Sequence, residues 1–221
     1  MTPPAHAKHQ RDVFHAWMLD GIEFSKDWDM PVMHSEEARP RALAAFSTAM
    51  HPNFDDYSCF VHFYEDDFRF ERLWNDPQRC LPKLARFAGV IMPDFSTAVD
   101  FPIPLKMWNA YRNQLLGAWM QKQGLVVLPN ARAQLGCPWL LEGLPRHSTI
   151  AICGRAQIKD VDERRRFVRD LRTTIDELEP SCVVYYGADT HGVLEYPRLL
   201  GIPIQVFSGA DRWGSSVVAN G

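Results

Sequence analysis

A chain of 221 residues, 46% hydrophobic and 23% charged, suits one globular domain with a substantial core. Its net charge of −3 supplies no field that would hold nucleic acid non-specifically. The five cysteines are odd in number and form no CxxC pair, which argues against a disulfide framework. Cys59, Cys153 and Cys182 sit inside apolar runs and read as buried thiols of a reducing compartment.

Residues 1–12 are polar and Pro-rich and are expected to fray, residues 13–213 to form one α/β domain, and residues 214–221 to be a flexible tail. The N-terminus has no apolar stretch of signal-peptide length, and no later segment is apolar enough to span a bilayer. A cytoplasmic protein without a membrane partner is the expectation.

The apolar runs come in order. "MPVMH" at 30–34 is a weak strand candidate. Stronger ones are 42–48 "ALAAFST", 58–64 "SCFVHFY", 88–92 "AGVIM", 125–129 "LVVLP", 148–153 "STIAIC", 181–186 "SCVVYY" and 202–207 "IPIQVF". Continuous rather than alternating hydrophobicity marks strands covered on both faces. Between them lie helical patterns. Residues 68–86 hold a short helix interrupted at Pro77, and 103–123 carries Trp108, Tyr111, Leu115 and Trp119 on one stripe before the stop at Gly124. Val168, Leu171, Ile175 and Leu178 line a helix over 161–179 that Pro180 closes, and 190–200 adds a last short one.

Strand and helix alternating in this way imply parallel pairing with right-handed crossovers. The fold expected is α/β, a compact or irregular TIM-like (β/α) barrel, with an open doubly wound sheet as the alternative. Either fold gathers the carboxyl ends of its strands on one rim, where such folds bind ligands. The residues that follow the runs are polar: Glu65, Asp66 and Asp67; Asp94 and Ser96; Asn130 and Arg132; Arg155; Gly187 and Asp189; Ser208, Gly209 and Asp211. Asp and Asn after a strand also serve as helix caps, and Asp189 and Asp211 are the most cap-like. Asp94 is the least so, because "FSTAVDFPI" separates it from the next helix.

Other groupings point less far. His62 and Asp66 share a strand face by period two, but spacing supplies no third metal ligand, so no metal is expected. The arginines of "ERRRFVRDLR" alternate with acids and read as a solvated helix face. Arg112 and Asn109 lie within an apolar helix; Arg112 is expected either to pair with Asp94 or Asp100 or to reach solvent. No GxGxxG, GxxxxGK[ST], HExxH or GxSxG is present, so no cofactor is expected.

The block "GVIMPDFSTAVDFPIPLKMWNAYRNQLLGAWMQKQGLVVLPNARA" resembles a domain-of-unknown-function family of bacterial, plasmid and phage proteins. Its pattern is PDFS, then a W/N-Y-R helix, then a strand ending in P-N. "GLPRHSTIAI" and "VVYYGA" continue the likeness, which covers residues 42 to 208 or so. The resemblance implies a phage or mobile-element setting and brings no catalytic residue of its own.

From the residues, a hydrolase or group transferase acting on a phosphorylated, nucleotide-like or sugar-like substrate is expected. Asp94 would serve as general base or nucleophile and Asp66 or Asp67 as a second carboxylate. Arg132 and Arg155 would bind anions, with Ser96, Asn130, Gly187, Asp189 and Gly209 as further substrate contacts. The alternative is a non-catalytic protein that binds a host or plasmid partner through an exposed Trp74 or Trp213.

Overall fold

A computed structural model describes residues 12–155, 157–208 and 217–218. Eight short strands and six α-helices alternate along it. β1 (Leu43–Ala45), β2 (Phe60–His62), β3 (Gly89–Ile91) and β4 (Val127–Leu128) form a parallel sheet in that order. β5 (Thr149–Cys153), β6 (Cys182–Tyr186) and β7 (Ile204–Phe207) form a second parallel run. β8 (Val217–Val218) adds to β7 antiparallel. The two sheets meet at one parallel bridge, Asn130 with Ala151, where the Ala151 amide donates to Pro129 and the Ala131 amide to Ala151.

The strands are therefore neighbours in space in the order in which they occur in the chain, and the sheets are not closed into a barrel. The run 42–48 is a strand only to Ala45, because α1 (Phe46–Ala49) begins there. Segment 30–34 is no strand; Pro31 makes an isolated antiparallel bridge with Phe24.

Period-two alternation sorts the strand residues into two cores. Leu43, Phe60, Ile91, Leu128, Ala151, Val184 and Phe207, at least one from each of β1 to β7, pack with Tyr64 and Tyr186 into one cluster made of strand residues. Their neighbours Ala44, Val61, Val90, Val127, Ile150 and Val183 face the other way and pack with the helices. α2 (Glu71–Asn75) and α3 (Pro77–Leu84) replace the one interrupted helix expected, with Pro77 at the first turn of α3, where its missing N–H costs nothing. α5 (Val161–Leu178) buries Phe167, Leu171, Thr174, Ile175 and Leu178, and Asp160 caps it by accepting from the amides of Asp162 and Glu163. α6 is Glu195–Leu199.

α4 (Ile103–Lys122) positions the site. From Asn109 to Met120 nearly every residue is buried, the polar Asn109, Arg112, Asn113 and Gln114 included. Buried polar groups need partners, and most of these bind the loop that follows β3. Asn113 accepts the Phe95 amide at 2.8 Å and donates to the Phe95 carbonyl at 3.1 Å. Asn109 donates to the Ser96 carbonyl at 2.6 Å, and Lys106 to the Val99 carbonyl at 2.7 Å. Arg112 lies 3.8 Å over the Phe95 ring, donates to Asn109 and pairs with Glu71 at 3.0 Å. Its partner is thus Glu71 and not Asp94 or Asp100; its guanidinium is packed among aromatic rings and serves the loop. Among the described residues no helix is long and apolar enough to cross a membrane.

Candidate active site

A cavity of about 1080 Å³ opens where the parallel strands end. The last residues of four strands line it: Ala45 of β1, His62 of β2, Cys153 of β5 and Tyr186 of β6. Asp66, Asp94, Ser96, Arg132 and Arg155, five of the residues picked out from the sequence, line it too. The parallel arrangement is the cause, since it sends every chain exit to the same side.

Asp94 is held from one side. Asn130 donates to its Oδ1 at 2.8 Å, and Asn130 in turn accepts from the Tyr64 hydroxyl at 3.1 Å. Oδ2 has no hydrogen-bond partner among the described residues. Burial raises the Asp94 carboxyl above its usual range, while the Arg132 guanidinium and the Asn130 amide pull it down and Asp67 adds to the rise. A carboxyl raised by burial holds a proton more readily than an exposed one, which suits a group that takes and returns a proton.

Arg132 and Arg166 line the cavity without an ion-pair partner among the described residues. The Arg155 guanidinium donates to the Tyr64 carbonyl at 3.4 Å and sits beside Tyr186. Arg69, by contrast, is drawn to Asp66 at 3.9 Å. The wall is mixed in charge, since Glu65, Asp66, Asp94, Asp100, Glu163 and Asp170 line it too, but a guanidinium there without an ion-pair partner can receive an anion. The other thiol and phenol groups here are held protonated: burial pushes Cys153 up to about 12 and raises Tyr64 and Tyr186. Cys153 is accordingly no nucleophile at neutral pH.

Three expected contacts lie elsewhere. Asp67 accepts from the Ser96 amide at 3.1 Å and the Ser96 hydroxyl at 2.9 Å, so its carboxylate fastens the Asp94 loop. Asp189 is paired with Arg198 and caps no helix, since α6 has Leu194 at its N-cap. Gly187 does not border the cavity but makes its wall tight. Its φ is 154°, and a Cβ added there would fall 3.1 Å from the Gly154 carbonyl carbon and from the Tyr185 hydroxyl, a tight fit that favours glycine. Gly209, Asp211 and Trp213 lie outside the described residues. Trp74 is buried, packed edge-on to Trp108 at 5.5 Å, so it offers no exposed docking surface. Asp66 is paired with Arg69, and among the described residues no group of three or more His, Cys, Asp or Glu gathers to hold a metal.

The sequence reading missed Tyr64 and Tyr186, weighed His62 only as a metal ligand and put Arg166 on a solvated helix face; all four line the cavity. The signal was present: His62 and Tyr64 stand two apart, and Tyr186 is the last residue of its run, so their side chains face the same enclosed side.

A second cavity of about 560 Å³ lies behind the first, between the 133–144 segment and α5, and Asp170 borders both.

Comparison with known proteins agrees with an uncharacterised phage family. The model of the family described as "Domain of unknown function (DUF4417)" matches residues 22–200. The "Gene 1 protein" of Mycobacterium phage L5 is 30% identical over 189 residues, covering 80% of this chain and 81% of the phage protein. The "Gene 1 protein" of Mycobacterium phage D29 is 30% identical over 166 residues, 74% of this chain and 62% of that protein. No solved structure matches. With a match across most of its length and two phage relatives of this extent, the chain belongs to the DUF4417 family.

Proposed function

We propose that the cavity is the active site of an enzyme that hydrolyses, or transfers a group from, a phosphorylated, nucleotide-like or sugar-like substrate. Asp94 is its general base, and Arg132, Arg155 and Arg166 receive the anionic group. The observation that carries this reading is a part-buried carboxylate tethered on one oxygen only, in a roomy cavity where Arg132 and Arg166 have no ion-pair partner among the described residues. Drug-sized and cofactor-sized ligands occupy cavities of about 300–1,000 Å³, so a nucleotide or sugar phosphate fits. A nucleophilic water or hydroxyl of the substrate would give its proton to Asp94 Oδ2, while the guanidinium groups balance charge that builds on the transferred group. Ser96 and Asp66 stand at the mouth as further contacts. Alongside this we read the architecture as an irregular, unclosed (β/α) barrel. Sequential strand order and a core drawn from seven strands support that reading over a doubly wound sheet, whose strand order reverses at a switch point.

Thermal melting of the purified chain against a panel of nucleotides and sugar phosphates tests the proposal. Wild type should be stabilised by one class of phosphorylated ligand and should turn it over, whereas Asp94→Asn should bind it without turnover. No shift across the panel, or full turnover by Asp94→Asn, would refute it.

A further inference from the structure

His62 closes β2 and is 4% exposed, yet the edge of its ring borders the cavity. Its Nδ1 accepts the backbone amide of Tyr64 at 3.1 Å. A neutral imidazole that accepts at one nitrogen carries its proton on the other, so the donor is Nε2–H. The Tyr64 ring stacks on it with centroids 5.3 Å apart, and the Tyr186 ring leans on it at 4.6 Å. The ring therefore has little freedom to turn. Nε2 has no hydrogen-bond partner among the described residues, and it is not one of the fully enclosed unpaired atoms, so it is open to the cavity that His62 lines. It is placed to meet something that enters the cavity.

We propose that His62 is a hydrogen-bond donor to the ligand, its Nε2–H binding an oxygen of the anionic group that Arg155 receives. This rests on the reading of the cavity as an anion site. The groups facing the ring fit the role. Burial disfavours a second proton, and Arg155, beyond the end of β5, adds to this by repulsion, together holding His62 down to about 3. Tyr64 on the strand's own continuation and Tyr186 at the end of β6 are uncharged phenols, and Cys153 at the end of β5 is an uncharged thiol. The acids Asp94 and Glu65 line the same recess but are engaged, Asp94 accepting from Asn130 and Glu65 from the amide and hydroxyl of Ser47. A neutral donor has two advantages here. It does not add a buried cation beside Arg155, and its strength is constant across the pH range in which an ordinary histidine would switch. The same features exclude His62 as a proton carrier.

The test uses the full chain with ¹⁵N-labelled histidine and inorganic phosphate as the probe. Nitrogen spectra should show His62 as the Nε2–H tautomer from pH 5 to 8, and phosphate should shift that Nε2–H resonance. His62→Gln, whose amide still donates, should bind phosphate within about threefold of wild type. His62→Leu should bind about tenfold more weakly, the range for one hydrogen bond to an anion, and Arg132→Gln serves as the control on the site. A His62 midpoint between pH 5 and 8, or the Nδ1–H tautomer, overturns the proposal. So does unchanged phosphate binding in His62→Leu alongside a loss in Arg132→Gln, which leaves the anion site standing. Wild type that binds no phosphate overturns the anion site and the donor together.

Discussion

Replacing Asn113 by alanine is the sharpest way to ask whether α4 holds the loop that carries Asp94. Asn113 is 5% exposed and satisfies both backbone groups of Phe95, which is itself fully buried. Alanine removes both partners and leaves an amide and a carbonyl in a dry core. Each orphaned group costs about 1–3 kcal/mol, so the variant should lose about 2–6 kcal/mol. For a domain of this size that lowers the melting temperature by about 4–24 °C, at about 2–4 °C per kcal/mol. The comparison is Ser96→Ala, on the same loop, which removes one exposed hydroxyl bond to Asp67 and should cost less than about 1 kcal/mol. Urea unfolding at 25 °C, with the slope unchanged between variants, reads both. If Asn113→Ala costs no more than Ser96→Ala, the loop is held by something other than this side chain.

Three further outcomes follow from the same geometry. Asp94→Asn should be more stable than wild type at pH 7. The folded carboxyl lies above its ordinary value of 3.8, so the folded state binds more protons than the unfolded one from that value upward, and wild type loses stability as pH rises through this window. The advantage of the variant should disappear on acidification below 3.8, and unfolding curves across pH would show it; equal stability at both pH values would count against a buried Asp94. Gly154→Ala should destabilise the fold by about 1–3 kcal/mol, because the new Cβ would fall 2.0 Å from the Tyr185 hydroxyl, and a melting temperature equal to wild type would contradict that contact. Glu71→Gln should cost about 1 kcal/mol or more by leaving the half-tethered Arg112 without its carboxylate, measured by the same urea assay.

Much of this architecture is readable in the order of the residues. The seven parallel strands fall within the apolar runs, and α4 and α5 fall on their stripes, because burial on both faces and helical periodicity leave plain marks. Asp94 stood out for its distance from the next helix, and it does line the cavity. Other features were not legible for definite reasons. "ALAAFST" is apolar throughout, so nothing in it marks the change from strand to helix at Phe46. Asp67 looked like a second catalytic carboxylate because composition cannot tell an acid that faces a cavity from one that fastens a loop; only its bonds to Ser96 separate them. Arg112 found Glu71, far away in sequence and on a different helix. As cavity contacts, His62, Tyr64 and Tyr186 were passed over because attention went to the residues after each strand, when the last inward side chains of the strands form the floor.

The spacing of Lys106, Asn109 and Asn113 along α4 has a consequence for how such a chain can change over time. These three side chains grip Val99, Ser96 and Phe95 in turn, like teeth meeting a rack. A helix turns about 100° per residue, so one codon gained or lost between Asn109 and Asn113 would swing the teeth out of mesh while leaving helical content intact. Lineages descended from this chain can therefore drift in identity along α4's outer turns, but its length between those residues is fixed by the loop it engages.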